Sequence, residues 1–290
     1  MKTIFLMICL MWAGQLSIAQ EFKKVSYPEG FTEQLNLVYT TVNGWEGKLD
    51  LYLPPSQKKG SPLVINIHGG GWNKGVKESQ TGFSAFFNRG YAVANIEYRL
   101  TGTATAPAAV QDTRCALIYL IRNAKKFHID VNRIVIMGSS AGGHLALMGG
   151  LLENNPIFDS NCPGAKNIKV AAIIDKFGIT DVWDWAYGPY KTSTSATSWL
   201  GDKAKDQEFA KSVSPLYQVK KNSPPTFIVH GDADPIVPYQ ESVALKARYD
   251  ELGVKCEFMT VKGGLHGKFS KEDDEELTRR IMTFLNNTGL

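Results

Sequence analysis

The chain has 290 residues, of which 43% are hydrophobic and 21% charged, and it includes 14 Phe, 11 Tyr and 6 Trp. This much apolar and aromatic material can build a large core, which excludes a disordered or collagen-like chain. The 32 basic and 28 acidic residues give a net charge of +4 without a dense basic cluster. A nucleic-acid groove needs a stronger basic footprint, so we predict no nucleic-acid partner.

The first nineteen residues predict a cleavable secretory signal peptide. Lys2 supplies the initial positive charge, residues 4–13 form an apolar run, and the small residues Ser17 and Ala19 suit cleavage after Ala19. The apolar run is well short of the roughly 20 residues that a membrane-spanning helix needs. We therefore predict a secreted or periplasmic protein with no membrane span, whose residues 20–290 form a single domain.

Strands and helices alternate along the remaining chain. Two segments have the apolar–polar alternation of half-buried antiparallel strands, residues 37–41 and 48–53. Six near-continuous apolar runs, typical of strands buried on both faces, follow at residues 63–67, 91–96, 134–137, 170–174, 226–229 and 256–261. Helical periodicity occurs between them at residues 110–127, 141–152, 241–252 and 272–285. The predicted fold class is α/β, with a mostly parallel, doubly wound sheet flanked by helices.

Residues 178–222 depart from this alternation, and they are too many for a simple connection. The segment is rich in Trp, Tyr, Ser, Thr and Lys, and we predict a short insertion or cap over one end of the sheet. Its Trp183 and Trp185, together with Trp72, are candidates for contacting a sugar or an aromatic acyl group. The alternative is that these rings pack the cap onto the body of the protein.

The sequence GSSAGG, residues 138–143, predicts a nucleophilic serine. It lies between a predicted strand and a predicted helix, which is the setting of the G-x-S-x-G nucleophile elbow. The tight turn needs small residues two positions before and after the serine. Gly138 and Gly142 meet this need for Ser140, whereas Ser139 lacks such neighbours. An ordinary glycine–serine turn is the alternative, and the flanking strand and helix argue against it.

A second motif, HGGGW at residues 68–72, directly follows the predicted strand at residues 63–67. Such a glycine-rich loop partners a nucleophile elbow and supplies an oxyanion hole. We expect the backbone N–H groups of Gly70 and Gly71, with that of Ala141, to face the developing oxyanion. Taken alone, the motif is also compatible with a glycine turn that has no catalytic role.

A serine nucleophile needs a base, and the base needs a carboxylate to orient it. Four histidines suit other roles, because they begin motifs, end a helix or lie behind the serine on its helix: His68, His230, His128 and His144. His266 alone lies in a glycine-rich loop after the last strand, and it is the predicted base. Asp234 is preferred to Asp232 as the acid. The resulting order of Ser140, Asp234 and His266 is that of α/β-hydrolase triads.

With these motifs the sequence resembles the α/β-hydrolase superfamily. Within it, the chain is most similar to the BD-FAE-like branch of feruloyl- and acetyl-esterases, related to hormone-sensitive-lipase-type carboxylesterases. The resemblance extends over about residues 35–284, and HGGGW, GSSAGGHLA and the HGDAD that contains Asp234 carry it. It implies ester hydrolysis through an acyl-enzyme, with no metal or cofactor, and it places the acid of the family's HGxxD motif on Asp234.

Export and the aromatic cap suggest short-chain or aromatic acyl esters, such as acetyl or feruloyl groups on plant polysaccharides, as substrates. One alternative is a serine peptidase of the prolyl-oligopeptidase type, but those enzymes carry a large propeller ahead of the catalytic domain. The other is a non-catalytic binding protein on the same fold, and such proteins usually lack a triad residue.

The cysteines allow little cross-linking. Cys9 lies in the signal peptide, and the remaining three, Cys115, Cys162 and Cys256, permit at most one intramolecular disulfide. For Cys115 and Cys256, which lie in helix and strand patterns, we expect buried structural cysteines. No pair has the spacing of zinc ligands.

Overall fold

The computed structural model describes residues 22–55, 59–164 and 166–290. The predicted signal peptide, residues 1–19, lies outside the described residues and stays a prediction. Within the described ranges the chain forms eight strands: β1 Thr32–Val42, β2 Trp45–Leu53, β3 Ser61–Ile67, β4 Ala92–Ile96, β5 Ile129–Ser139, β6 Ala172–Lys176, β7 Thr226–Gly231 and β8 Cys256–Val261. The α-helices of the described residues are α1 Ser84–Phe87, α2 Ala108–Arg122, α3 Ala124–Phe127, α4 Ala141–Leu151, α5 Val182–Tyr187, α6 Ser195–Leu200, α7 Gln207–Ser212, α8 Tyr239–Glu251 and α9 Lys271–Asn286.

The strands form one sheet in the order β1-β2-β4-β3-β5-β6-β7-β8. β2 pairs antiparallel with both β1 and β4, and every later pairing is parallel. The predicted mostly parallel α/β sheet is therefore confirmed. Because the carboxyl ends of the parallel strands meet at one edge, the loops that follow β3, β5, β7 and β8 lie together there.

Two apolar layers cover the sheet. On one face, α2, α4 and α8 pack over side chains such as Ile65 and Ile136, and on the other α1 and α9 cover Val64 and Val135. Strand β3 is buried along its whole length, which explains its continuous apolar sequence. In the part of the chain that the structure describes, no helix is long and apolar enough to cross a membrane.

Element boundaries differ from the sequence expectations in a few places. Strand β5 begins five residues before the four apolar residues that predicted it, because the buried Ile129 already pairs with Ser61 of β3. The helix predicted over residues 110–127 is two helices, separated at Asn123, whose backbone leaves the helical region. The four-residue helix α1 was not predicted, since it is too short to show a helical period.

The segment between β6 and β7 contains the short helices α5, α6 and α7. Its entry is held by Glu241 of α8, whose carboxylate accepts hydrogen bonds from the backbone N–H groups of Thr180 and Asp181, both at 2.7 Å. Asp181 then caps α5 through its side chain. The segment that the sequence marked as a cap is thus folded and fastened to the body of the protein.

One disulfide joins Cys115 of α2 to Cys162, which agrees with the limit that the sequence set. Beside it, the buried guanidinium of Arg114 pairs with Asp159 at 2.8 Å. Both contacts fasten the loop after α4 to α2. Cys256 is a free, half-buried cysteine on β8.

Candidate active site

Ser140 lies in a strained turn between β5 and α4. Its backbone has φ 57° and ψ −124°, a region that non-glycine residues rarely adopt and that is found mostly at functional sites. The flanking glycines have no room for a side chain: a Cβ on Gly142 would lie 2.2 Å from the carbonyl oxygen of Ile67, and one on Gly138 would lie 2.1 Å from the carbonyl oxygen of Gly142. The turn therefore has the close packing that a nucleophile elbow requires.

The structure brings the three predicted triad side chains together. His266 Nε2 lies 2.9 Å from Ser140 Oγ, and His266 Nδ1 lies 2.6 Å from Asp234 Oδ2. An ionised carboxylate only accepts hydrogen bonds, so the contact with Asp234 assigns the imidazole proton to Nδ1. Nε2 is then free to accept the hydroxyl proton of Ser140, as a general base must.

Asp234 is held in its ionised form. Burial opposes ionisation, but hydrogen bonds from His230 and His266 outweigh it and hold the pKa of Asp234 well below its usual range. The backbone N–H groups of Ile236 and Val237 also donate to Oδ1, at 2.8 and 3.0 Å. The carboxylate is thus fixed by four donors and oriented toward His266.

Asp232 and His230 have other partners. Asp232 is exposed and accepts a hydrogen bond from the N–H of Gly263 at 2.5 Å. The Nε2–H of His230 faces both Asp234 Oδ2 and the carbonyl oxygen of Val237, each at 3.1 Å, while Ser242 donates to its Nδ1. The geometry therefore favours Asp234 over Asp232 as the acid. His230 stabilises the loop that contains Asp234 and Val237.

The glycines of the HGGGW loop reach the serine from the end of β3. Gly70 and Gly71 have φ values of 117° and 60°, which lie in the left-handed region that glycine tolerates best. Within the described residues, their N–H groups donate to no other protein acceptor. Ala141 is the first residue of α4, where N–H groups have no intrahelical partner. All three predicted donors are therefore free to bind an oxyanion.

A cavity of about 440 Å³ opens over Ser140 and His266. Five of its lining residues, from four separate segments, are not identified by the sequence motifs: Asn73, Lys74, Phe177, Ser195 and Ile236. Asn73 and Lys74 directly follow the HGGGW motif, so their position was available as a signal. The other three reach the cavity only through the folding of the cap and of the loops after β6 and β7, which no local pattern reveals.

The expectation that Trp72 contacts the substrate is not supported by the structure. Its side chain is fully buried and does not line the cavity. The ring instead stacks on Trp199 of α6 at 4.5 Å, packs against Trp185, and donates from Nε1 to His144 Nδ1 at 3.3 Å. His144 in turn donates to the carbonyl oxygen of Val213 at 2.7 Å. This aromatic cluster (Trp72, His144, Trp185 and Trp199) joins the HGGGW loop, helix α4 and the cap.

The two cap tryptophans have different positions. Trp185 lines the cavity although its side chain is largely buried, and its Nε1 donates to the carbonyl oxygen of Ile236 at 3.1 Å. Trp183 is half-buried, packs on Tyr187 at 4.5 Å, and is not among the lining residues. Of the three candidate tryptophans, the structure thus places only Trp185 at the cavity.

A further carboxylate, Asp175, lies beneath the elbow helix. It is fully buried, accepts one hydrogen bond from the N–H of Gly178 at 3.0 Å, and leaves Oδ2 without a partner among the described residues. Burial raises its pKa to about 7. Since it faces α4 rather than the cavity, Asp175 bears on stability rather than on the chemistry.

Asp175 should make stability depend on pH. Its pKa is about 7 in the folded protein and about 3.8 as a free side chain, so the folded state binds its proton more tightly. The resulting stabilisation is complete below about pH 4 and is lost as the pH rises through 7. We expect the melting temperature of Asp175→Asn, relative to wild type, to rise by several degrees between pH 5 and pH 8, because 1 kcal/mol shifts it by roughly 2–4 °C. Thermal melts of both proteins measure this, and a difference that is constant with pH would contradict it.

Comparisons with known proteins agree with this architecture. The family model described as BD-FAE matches residues 49–249. Esterase LipC of Mycobacterium tuberculosis is 26% identical over 218 residues, which are 72% of this chain and 53% of LipC. The chain spans about half the length of the first curated relatives that it matches.

Solved structures match over more of the chain. A truncated form of a carbohydrate esterase from gut microbiota is 30% identical with a TM-score of 0.77, and the match covers 91% of this chain and all of that one (100%). A bifunctional GH43-CE protein of Bacteroides eggerthii is 26% identical with a TM-score of 0.74, over 88% of this chain and 38% of that one.

Proposed function

The chain belongs to the BD-FAE family and has the α/β-hydrolase fold, and from that premise we propose that it hydrolyses carboxylic esters with Ser140, His266 and Asp234. The observation that carries the proposal is the continuous hydrogen-bonded array from Ser140 through His266 to Asp234 at the floor of a cavity. An array of this kind favours a catalyst over a binding protein on the same fold.

In the proposed reaction, His266 Nε2 takes the hydroxyl proton as Ser140 Oγ attacks the ester carbonyl carbon. The carbonyl oxygen becomes an oxyanion and accepts hydrogen bonds from the N–H groups of Gly70, Gly71 and Ala141. The bond to the alcohol oxygen then breaks, and His266 gives its proton to the departing alcohol. Water, activated by His266, attacks the acyl-enzyme, so that Ser140 regains its proton and the acid is released.

Two electrostatic features support this mechanism. Asp234 keeps its negative charge beside His266 and so stabilises the imidazolium that forms in each step. The oxyanion donors are backbone groups held by a rigid turn, and each such donor is typically worth about 3–4 kcal/mol in the transition state. No metal or cofactor is needed for any of these steps.

We propose that the substrates are short-chain or aromatic acyl esters, such as acetyl or feruloyl groups, on plant polysaccharides. The names of the matching proteins, a carbohydrate esterase and a GH43-CE protein, support a carbohydrate ester. Polar side chains of the cavity lining, Asn73, Lys74 and Ser195 among them, suit a short or planar acyl group better than a long alkyl chain. A serine peptidase remains the alternative, and amide substrates distinguish it.

We also propose that the protein is secreted or periplasmic. Disulfides persist mainly in oxidising compartments, so the Cys115–Cys162 disulfide supports export. The predicted signal peptide at residues 1–19 points the same way.

A series of p-nitrophenyl esters tests the function and the acyl length together. We expect kcat/KM to be highest from acetate to butyrate and to fall by octanoate, because an added methylene contributes about 0.8 kcal/mol only where the site buries it. Acetylated xylan and methyl ferulate then separate acetyl from feruloyl substrates. Activity that climbs steadily to laurate would indicate a lipase, and cleavage of peptides alone would indicate a peptidase.

A further inference from the structure

The mouth of the cavity carries one positive charge. Lys74 is the only charged side chain besides the triad among the described residues that line the cavity, and no carboxylate lines it. Lys74 is exposed, and it makes no ion pair within the described parts of the chain. The nearest catalytic carboxylate, Asp234, is fully buried behind His266 and occupied by its own donors.

Lys74 is held beside the oxyanion loop. Its carbonyl oxygen and its Cγ lie 2.1 and 3.2 Å from the position that a Cβ on Gly70 would take. The stem of the side chain therefore packs on the HGGGW loop, while the ammonium group has no hydrogen-bond or ion-pair partner among the described residues. The neighbouring Asn73 is exposed as well and lies near Gly71.

The cavity has a buried inner wall and an exposed mouth, which suit the acyl group and the sugar of a polysaccharide ester, respectively. Trp185 is 2% exposed and Ser195 is half-buried, so they form the inner wall, whereas Ile236 is 46% exposed and, with Asn73 and Lys74, forms the mouth. A cavity of about 440 Å³ is too small for a whole polysaccharide chain. We therefore expect the acyl substituent of such a chain to enter the cavity and the neighbouring sugars to lie at the mouth, beside Lys74.

We propose that Lys74 binds a carboxylate on the sugar chain, so that the preferred substrates are acyl esters of acidic, uronate-bearing polysaccharides. This inference rests on the proposed function and specifies its substrate class. An unpaired ammonium group beside the sugar attracts the carboxylate of a uronate electrostatically, and a neutral sugar has no charge for it to attract.

The test compares acetylated xylo-oligosaccharides with and without a glucuronic acid branch. In wild type we expect kcat/KM to be about two- to fivefold higher for the acidic oligosaccharide, the size of effect that one exposed ion pair gives. Lys74→Gln should bring the ratio near one, Lys74→Arg should keep it, and Lys74→Glu should invert it. The wild-type ratio should also shrink between roughly 10 mM and 1 M salt, where the screening length falls from about 30 to 3 Å.

Lys262→Gln is the matched control, because Lys262 is exposed beyond β8, carries the same charge and does not line the cavity. It should keep the wild-type ratio. A wild-type ratio near one, or a ratio unchanged in Lys74→Gln, would overturn the proposal. A Lys74-dependent preference for p-nitrophenyl hemisuccinate over butyrate would also overturn it, since the carboxylate site would then serve the acyl group. If wild type hydrolyses no ester, p-nitrophenyl acetate included, the proposed function itself fails.

Discussion

Replacing Ser140 with alanine should lower kcat on p-nitrophenyl acetate by at least about 10⁴-fold, because triad serines in comparable enzymes account for effects up to about 10⁶. The variant keeps the oxyanion donors and the cavity but has no group to form the acyl-enzyme. Stopped-flow or steady-state release of p-nitrophenol measures the loss. Retention of more than a tenth of the wild-type kcat would contradict the assignment of Ser140 as nucleophile.

Ser139→Ala is the matched control for this variant, since it removes the neighbouring hydroxyl from the same turn. Ser139 lacks glycines two positions away on either side, and its strand register with Lys176 is that of an ordinary sheet residue. We expect it to retain activity within about tenfold, the range of a change that disturbs packing by 1.4 kcal/mol or less. Equal melting temperatures of wild type and Ser140→Ala would show that the loss is chemical.

The second large effect is expected from Asp234→Asn, which should lower kcat by about 10⁴-fold. Ile236 and Val237 already donate to one oxygen of Asp234, so the amide oxygen of an asparagine would take that place. Its NH₂ group would then face His266 Nδ1 and force the imidazole proton onto Nε2. In that tautomer His266 cannot accept the proton of Ser140.

Asp232→Asn is the control for this variant, because it also replaces a carboxylate with a neutral amide, two residues away. Because Asp232 binds the N–H of Gly263 rather than His266, we expect a far smaller loss of kcat than for Asp234→Asn. The opposite ranking would transfer the role of acid to Asp232. Measuring kcat and KM separately matters here, since a tautomer effect should appear in kcat.

Much of this site could be predicted from the sequence because its geometry depends on local steric rules. A nucleophile elbow admits only small residues around the serine, so Gly138 and Gly142 mark Ser140 directly. The loop after β3 needs glycine for its left-handed backbone, so Gly70 and Gly71 are equally visible. The choice of Asp234 over Asp232 agrees with the hydrogen bonds, because His266 contacts Asp234 whereas Asp232 binds the N–H of Gly263.

The wall of the cavity could not be predicted in this way. Phe177, Ser195 and Ile236 follow no local pattern, and they meet because the loops after β6 and β7 and the cap come together at the carboxyl edge of the sheet. Trp72, in contrast, has a sequence signal that predicts the wrong environment. Its place next to the oxyanion glycines suggested a substrate contact, but the indole of a residue with φ 58° turns into the interior and packs there.

The stacking of Trp72 on Trp199 has a consequence for redesigning this protein. Cap segments are natural targets for exchange when a hydrolase is engineered toward another substrate, because they are inserted between two strands and contribute much of the cavity wall. Here the inner surface of the cap also supports two elements of the candidate active site. Trp199 of the cap stacks on Trp72 of the HGGGW loop, and Val213 of the cap accepts a hydrogen bond from His144 of α4, which in turn accepts one from Trp72. A transplanted cap therefore has to provide the same contacts to Trp72 and His144. Exchanging the cap would change substrate specificity and the support of the active-site loops together.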